Sequence, residues 1–477
     1  MTSTATWERL QSRPRYRWLV LWTVMGGLFS VNVTFTILAV ALPRIAHDFH
    51  TSRNTMTWVI TGPLLAFGVA APSLGKAADQ YGHKRVYQLG LILSFTAAGL
   101  STLAWGALPL IVIRTIGSLE GAATGAASMA IVMRTFERED RVKAMGWWSL
   151  VGAGGPVIGV VLGGFILQAI GWRAIFACQM PLIATAFVVG SVVLPKTETL
   201  PPQKFDVAGA LTLSGGIAAL LFAINQGPEL GWSNNFVRAG FVVCPLLLWQ
   251  FVRVERRSDN PLISLEYLKK PAFAFPVASN AFANSAYMGG FILTPALLQV
   301  VYHYSDEKIG LLVIARPLSF SILSPIAGYL AVRIGQRTSA VAGTLFVVTS
   351  MGVFALLGAS SPNLLIILAL SLSGVGLGVS QPSISAGVAN AVADHDLGVA
   401  SAAMQLMQNV GVVSGIQIMT SVQTSIGKDA SGAAALHSFH VAYLVGGGLC
   451  AIGVLLATGV RNEHTRPELH PELFESF

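Results

Sequence analysis

Gly75-Lys-Ala-Ala-Asp79-Gln-Tyr-Gly82-His83-Lys84-Arg85 is a charged turn set between two long apolar stretches. Gly82 permits the positive φ that a tight turn between antiparallel helices needs, and Asp79 can meet either a helix N-terminus or the nearby Lys84 and Arg85. A second turn of the same kind, Gly328-Tyr-Leu-Ala-Val-Arg333-Ile-Gly335-Gln-Arg337, lies in the later half of the chain. Together they imply an internal repeat. If the turns correspond, the first six apolar spans match the last six, and two further spans are inserted between them. Repeats of this kind hold a transported molecule at their interface near the bilayer midplane and expose it alternately to either side by rocking.

Composition agrees with that reading. Of 477 residues, 53% are hydrophobic and only 11% charged, against about 25% charged in ordinary soluble domains. The fold class implied is an all-α integral membrane protein. Crossing the hydrocarbon takes about 20 residues. Spans are predicted at 18–42, 57–77, 85–105, 107–133, 143–169, 173–194, 206–226, 236–254, 272–302, 308–332, 338–358, 362–391, 398–425 and 439–460, fourteen in all. With the N-terminus inside, 22 Lys and Arg fall on one side, six on the other and two (Arg114, Arg316) within spans. Such asymmetry follows the positive-inside rule, and the even count puts both termini in the cytoplasm.

The +8 net charge is thus a topology signal rather than a nucleic-acid footprint. The predicted organisation is a cytoplasmic segment 1–17, an N-terminal six-helix bundle 18–194, a linker with two extra transmembrane helices 195–270, a C-terminal six-helix bundle 271–460 and a cytoplasmic tail 461–477. The N-terminal segment carries Arg9, Arg13, Arg15 and Arg17 without the short apolar region and cleavage site of a signal peptide. Cys178, Cys244 and Cys450 sit inside apolar runs and offer neither a disulfide framework nor metal-ligand spacing. No paired histidine motif and no phosphate-cradling loop occurs, so no enzymatic function, cofactor or metal is expected, and the energy for transport must come from a gradient.

Glu120 lies in Ile111–Met133, a span otherwise rich in Ile, Val, Leu, Ala and Gly, with Arg114 as its one charged companion. A carboxylate near mid-bilayer costs roughly 2.5–3.5 kcal/mol, which makes it a functional suspect. Desolvation disfavours its charged form and a nearby cation favours it, so it is placed to take and release a proton. The plainer alternative is a neutral Glu hydrogen-bonded to a facing helix. Six residues separate it from Arg114, about 9 Å along an unbroken helix and far round it, so its partner must come from elsewhere.

Other polar residues on apolar spans are candidates for a cavity wall: Asn32, Thr34 and Thr36 in span 1, Asn280, Asn284 and Tyr287 on one face of span 9, and Gln405 and Gln408 in span 13. Individually such amides more often glue helices together, at about 0.6–2 kcal/mol each. As a set they suggest an amphipathic, largely uncharged cavity. Trp147 and Trp148, near a span end, read as interfacial anchors. Gly117, Gly121 and Gly125 in span 4, and Gly155, Gly159 and Gly163 in span 5, form small-residue ridges for close helix approach. Pro156 is expected to bend span 5 against Gly152, four residues back.

The turn Gly75–Arg85 resembles the loop 2–3 signature of the major facilitator superfamily, G-x-L-A-D-x-x-G-R-K/R, with Ala77 and His83 as departures. In that superfamily the loop latches the two halves in one conformation, which assigns that role to Gly75, Asp79, Gly82, Lys84 and Arg85. Gly155-Pro156-Val-Ile-Gly159-Val-Val-Leu-Gly163-Gly164, with Gly152 before it and Gly171-Trp172-Arg173 after it, is similar to the span-5 antiporter motif of the fourteen-span drug:proton antiporter branch. Phe205-Asp206-Val-Ala-Gly209 and Gly227-Pro228-Glu229-Leu-Gly231-Trp232 resemble the borders of that branch's extra span 7. The resemblance covers nearly the whole chain.

The departures bear on function. Aligning on Val40-Ala41-Leu42-Pro43 puts Thr34 where the branch usually has an Asp, and the span-4 motif Arg-x-x-Gln-Gly reads Arg114-Thr-Ile-Gly117-Ser118. Arg114 keeps the position tied to proton coupling, while Glu120 stands where a small residue is usual. The acidic function is therefore expected to have moved from span 1 to span 4. The resemblance implies proton-coupled export of lipophilic or amphipathic small molecules from the plasma membrane. A functional monomer is expected, with the lipid bilayer, the small substrate and protons as its partners. A proton-independent lipid or metabolite facilitator is the alternative, and a non-transporting membrane sensor on the same fold is the alternative of another class.

Overall fold

A computed structural model describes residues 15–51, 53–195, 206–258, 261, 265–427 and 432–461. The side chains of 33–37, 39–40, 156–165 and a few further helical positions lie outside that description, and with them the expectations placed on Thr34, Thr36, Pro156, Gly159 and Gly163. Among the described residues all regular structure is helical. In chain order the helices are α1 (Tyr16–Asp48), α2 (Arg53–Tyr81), α3 (His83–Thr102), α4 (Ala107–Gly117), α5 (Leu119–Thr135), α6 (Arg141–Ala169), α7 (Trp172–Val193), α8 (Val207–Leu230) and α9 (Asn235–Glu255). After the short α10 (Leu265–Lys269) come α11 (Pro271–Val300), α12 (Asp306–Val313), α13 (Ala315–Ile334), α14 (Gln336–Ala355), α15 (Asn363–Asn390), α16 (Leu397–Gly427) and α17 (Gly432–Ala457).

Each of the fourteen predicted spans is occupied by helix, and ten helical rods among the described residues are long and apolar enough to cross a membrane. Large apolar side chains such as Leu89, Leu211, Phe236 and Leu364 point outward and exposed, as a lipid-facing surface requires. Two spans expected to be single helices are interrupted. The first breaks at Ser118, between α4 and α5, where the Ser118 hydroxyl bonds back to the Thr115 carbonyl at 2.7 Å. Side-chain competition for a backbone carbonyl is a known way to disturb a helix. The second breaks at Ile314, just before Arg316 and Pro317. Proline supplies no N–H, so one backbone bond is missing there.

Helices α1–α7 pack among themselves, as do α11–α17, and the two groups meet along two seams. In one, α2 crosses α16; in the other, α6 crosses α13. The Gly75–Arg85 turn sits at the first crossing. A Cβ on Gly75 would meet Ala402 and come within 2.7 Å of the Gly398 carbonyl, so the two backbones touch there. The second crossing is equally close: a Cβ on Gly328 would lie 2.8 Å from the Val142 carbonyl, and one on Gly146 2.7 Å from the Ser324 carbonyl. Glycine is what lets backbones approach this closely.

The pair α8 and α9 pack against each other, and α8 lies over the first seam, touching both α2 and α16. Ser214 donates to the Val69 carbonyl at 2.7 Å, and Leu221, fully buried, sits with Leu65, Leu406 and Val413. The second seam carries no such cover among the described residues. It holds instead an apolar groove of about 520 Å³ lined by Trp147, Leu150, Leu318, Ile322 and Ile326.

Candidate functional site

The ends of α2, α6, α13 and α16 nearest the loop 2–3 turn form one pole of the molecule, the basic end, and it is closed. Asp79 is buried and accepts from Gly398 N at 2.9 Å and Val399 N at 2.8 Å. These are the first N–H groups of α16, which have no partner within their own helix and carry its positive dipole. Of the two partners expected for Asp79, the structure selects the helix N-terminus. His83 Nε2 (3.3 Å) and Arg134 Nη2 (3.9 Å) flank the same carboxylate. Gly82 has φ 98°, as its turn requires. Lys84 turns away and donates to the Ser191 and Leu194 carbonyls at 2.8 and 2.7 Å, capping α7, while Arg85 is exposed.

A second tie joins the halves at the same end. Arg141, buried at the start of α6, donates to the Met133 carbonyl (2.8 Å), to Asn390 Oδ1 (3.0 Å) and to Asp394 Oδ1 (2.9 Å). That bond to Arg141 holds the Asp394 carboxyl below the usual carboxylate range. Close by, Tyr267 donates to Asp396 Oδ2 at 2.6 Å, and burial followed by that hydrogen bond pushes its hydroxyl up to about 12. Arg141, Asn390 and Tyr267 are not marked in the sequence. Nothing local marks a residue whose partner lies some hundred positions or more away.

Between the halves lies a cavity of about 840 Å³, reaching the end opposite the closed pole, where Pro295 and Gln299 of α11 and Ile309 of α12 form its rim. Asn32, Asn284, Tyr287, Gln405 and Gln408 line it. Asn280 does not. It is buried, donates to the Met404 carbonyl at 3.2 Å and accepts from Asn284 Nδ2 at 2.9 Å, so it glues α11 to α16 and orients Asn284. Gly152 lines the wall with open space where a Cβ would stand. Trp148, expected at the interface, instead faces the cavity and donates to Ser128 at 3.2 Å. Gln299, Gln381 and Thr124 also line the wall, and neither Gln381 nor Thr124 stood out in the sequence.

The wall is uncharged among the described residues. Gln381 Oε1 and Gln405 Nε2 are buried in it without a hydrogen-bond partner. An acceptor and a donor thus stand ready in an otherwise apolar chamber, the arrangement by which small-molecule sites fix orientation. The ridge glycines of α4 and α5 point to different neighbours: Gly117 to Ala97, Gly121 to the Phe67 ring and Gly125 to Gln405.

Glu120 is buried but is not part of the wall. It faces inward from α5 toward Ser94 of α3, within electrostatic reach of Arg114, whose guanidinium sits 5.5 Å from the centre of the Phe176 ring. Ser94 is the polar group that faces it from another helix, but among the described residues the Ser94 hydroxyl makes no hydrogen bond. Among the described residues Glu120 and Arg114 form no direct ion pair, and Glu120 Oε2 has no hydrogen-bond partner. Its neighbours Gly121, Thr124 and Gly125 do line the cavity, so the carboxyl lies one helix face behind it.

A family model described as Major Facilitator Superfamily matches residues 24–416 and, in a second match, 282–475. The multidrug resistance protein Stp of Mycobacterium tuberculosis is 28% identical over 405 residues, 83% of this chain and 74% of that protein. The multidrug transporter protein MdtP of Bacillus subtilis is 24% identical over 412 residues, 86% of this chain and 76% of its own. The tetracenomycin C resistance and export protein of Streptomyces glaucescens is 27% identical over 420 residues, 87% and 77% of the two chains. Among solved structures, the human organic anion transporter MFSD10 (TETRAN) superposes with a TM-score of 0.66 at 16% identity, covering 93% of this chain and 100% of that one, which bears on the fold alone.

Proposed function

This chain belongs to the major facilitator superfamily as a multi-pass, non-enzymatic transporter of drug-efflux type, and from that premise we propose that it exports lipophilic or amphipathic small molecules by proton-coupled alternating access. The observation that carries the proposal is the cavity: large, uncharged, provided with a few unpaired amides, open at one pole and shut at the other. The basic, closed end faces the cytoplasm in this reading, with both termini there, fourteen crossings, and the bundle and linker boundaries at 194, 270 and 460. The membrane is the plasma membrane and the working unit a single chain. The names of the relatives, multidrug resistance and tetracenomycin C export, support efflux as the direction.

Glu120 is the proton carrier in this scheme, with Arg114 beside it, although neither touches the substrate. Binding is communicated through Gly121 and Thr124, which share α5 with Glu120 and line the cavity. Internal pH in proteoliposomes under an imposed proton gradient tests it, with cationic, neutral and lipid-like compounds as challenge. Compound-triggered proton flux in the wild type, lost in Glu120→Gln, is the expected result. Compound movement without proton flux, unchanged by the substitution, overturns the coupling and leaves a facilitator. That second reading is favoured by one observation: no acid lines the cavity among the described residues.

A further inference from the structure

Arg316 is the largest fully buried side chain among the described residues, at 0% exposure. It stands directly behind the cavity wall. Its Nη1 donates to the Tyr287 carbonyl at 3.0 Å, and its guanidinium lies 5.4 Å from the Tyr287 ring and 5.8 Å from the Phe354 ring. Nε and Nη2 have no hydrogen-bond partner among the described residues. The neighbouring helices make room for it with glycine: a Cβ on Gly290 would lie 3.2 Å from Nη2, and one on Gly374 would meet the Arg316 carbonyl. Tyr287, Pro317 and Phe320, all adjoining Arg316, line the cavity.

Among the described residues no acid balances this cation. The helices α11 and α13–α17 contain no Asp or Glu, and the nearest in sequence, Glu307, is nine residues earlier, about 13 Å along a helix axis. In the other half, Arg114 and Glu120 offset each other. A lone guanidinium buried at membrane depth is costly to keep, and aromatic faces with one carbonyl compensate it only in part. A packing role would be met more cheaply by Met or Leu. What Arg supplies, and they do not, is a fixed positive potential at the cavity wall, strengthened by the low-dielectric surroundings.

We infer that the cavity selects amphipathic anions over neutral and cationic molecules, with Arg316 as a positioning residue that supplies the counter-charge from behind Tyr287. The inference rests on the cavity being the substrate site. An interior-negative membrane potential favours the exit of such a substrate.

The test uses the full chain in nanodiscs of zwitterionic lipid, with empty discs subtracted. Three fluorescent probes of one skeleton are titrated: dansylglycine (anion), its amide (neutral) and a dansyl-ethyl-trimethylammonium (cation). The wild type is expected to bind the anion about ten-fold or more tighter than the amide, and the cation most weakly. Arg316→Met should bring anion affinity down to that of the amide while leaving the amide unchanged, and Arg316→Lys should keep part of the preference. Equal binding of anion and amide by the wild type overturns the inference while leaving the cavity as the substrate site, whether or not the variants fold. So does an anion preference that survives in Arg316→Met. Binding of none of the three overturns the reading of the cavity itself, and the inference with it.

Discussion

Asp79 gives both carboxylate oxygens to backbone N–H groups of a helix more than three hundred residues further along the chain. Charge-assisted bonds of this type are worth about 1.5–3 kcal/mol each when a partner is removed. Asn at this position keeps one acceptor and turns an N–H₂ toward a second N–H, so Asp79→Asn should weaken the closed end by about 1–2 kcal/mol, roughly ten-fold in the closed-to-open ratio. Spin labels at Tyr81 and His395, both exposed at that end, read this as a longer-distance population. Asp394 adds an acid-dependent part. Its carboxyl is held low by Arg141, so its contribution is complete above about pH 4 and is lost as pH falls through the lowered value. Because its side chain is 66% exposed, the contribution is at most about 1 kcal/mol. The same label pair should show acid-induced opening that is smaller in Asp394→Asn. Single residues were unevenly legible in the sequence. Asn284 and Asn280 share a helix face and a residue type, yet one lines the cavity and the other ties two helices, because a face shared by lining and packing surfaces does not divide by periodicity.

Helices were legible wherever apolar length alone decides them: helix occupies each predicted stretch, and ten rods among the described residues are long and apolar enough to cross a membrane. Their interruptions were not. Ser118 and Ile314 carry no strong breaker of their own, and the breaks depend on a hydroxyl bond and on a proline three positions later. The crossings were half legible. The repeated turn announced Gly75 and Gly328, while their partners Gly398 and Gly146 came only with the fold. The two crossings also differ. Asp79 secures the first, whereas the position matching it in the second turn is Val332, leaving Ser324, which donates to the Gly146 carbonyl at 3.0 Å. Gly146→Val would drive a side chain into the Ser324 and Pro325 backbone, a conflict of about 1–3 kcal/mol. It should hold the basic end open, seen as a longer Tyr81–His395 distance and a loss of vectorial export. Gly152→Ala, which meets open space, should leave that distance unchanged.

At the scale of the molecule, two groups of helices enclose a cavity, the arrangement expected of an internal repeat. The placement of the inserted pair did not follow from it, since nothing in the residues of α8 says which of two similar seams it will cover. It covers the α2–α16 seam and leaves the α6–α13 seam with its apolar groove open to the outside. The two edges of the molecule are therefore unequal, one buttressed by α8 and the other presenting a groove. In the proposed alternating-access cycle, opening along the groove would displace acyl chains from it, so the lateral pressure of the bilayer would act as a spring. Turnover in proteoliposomes should therefore fall as the lipids are made stiffer, and excising 207–255 with a short bridge should flatten that dependence.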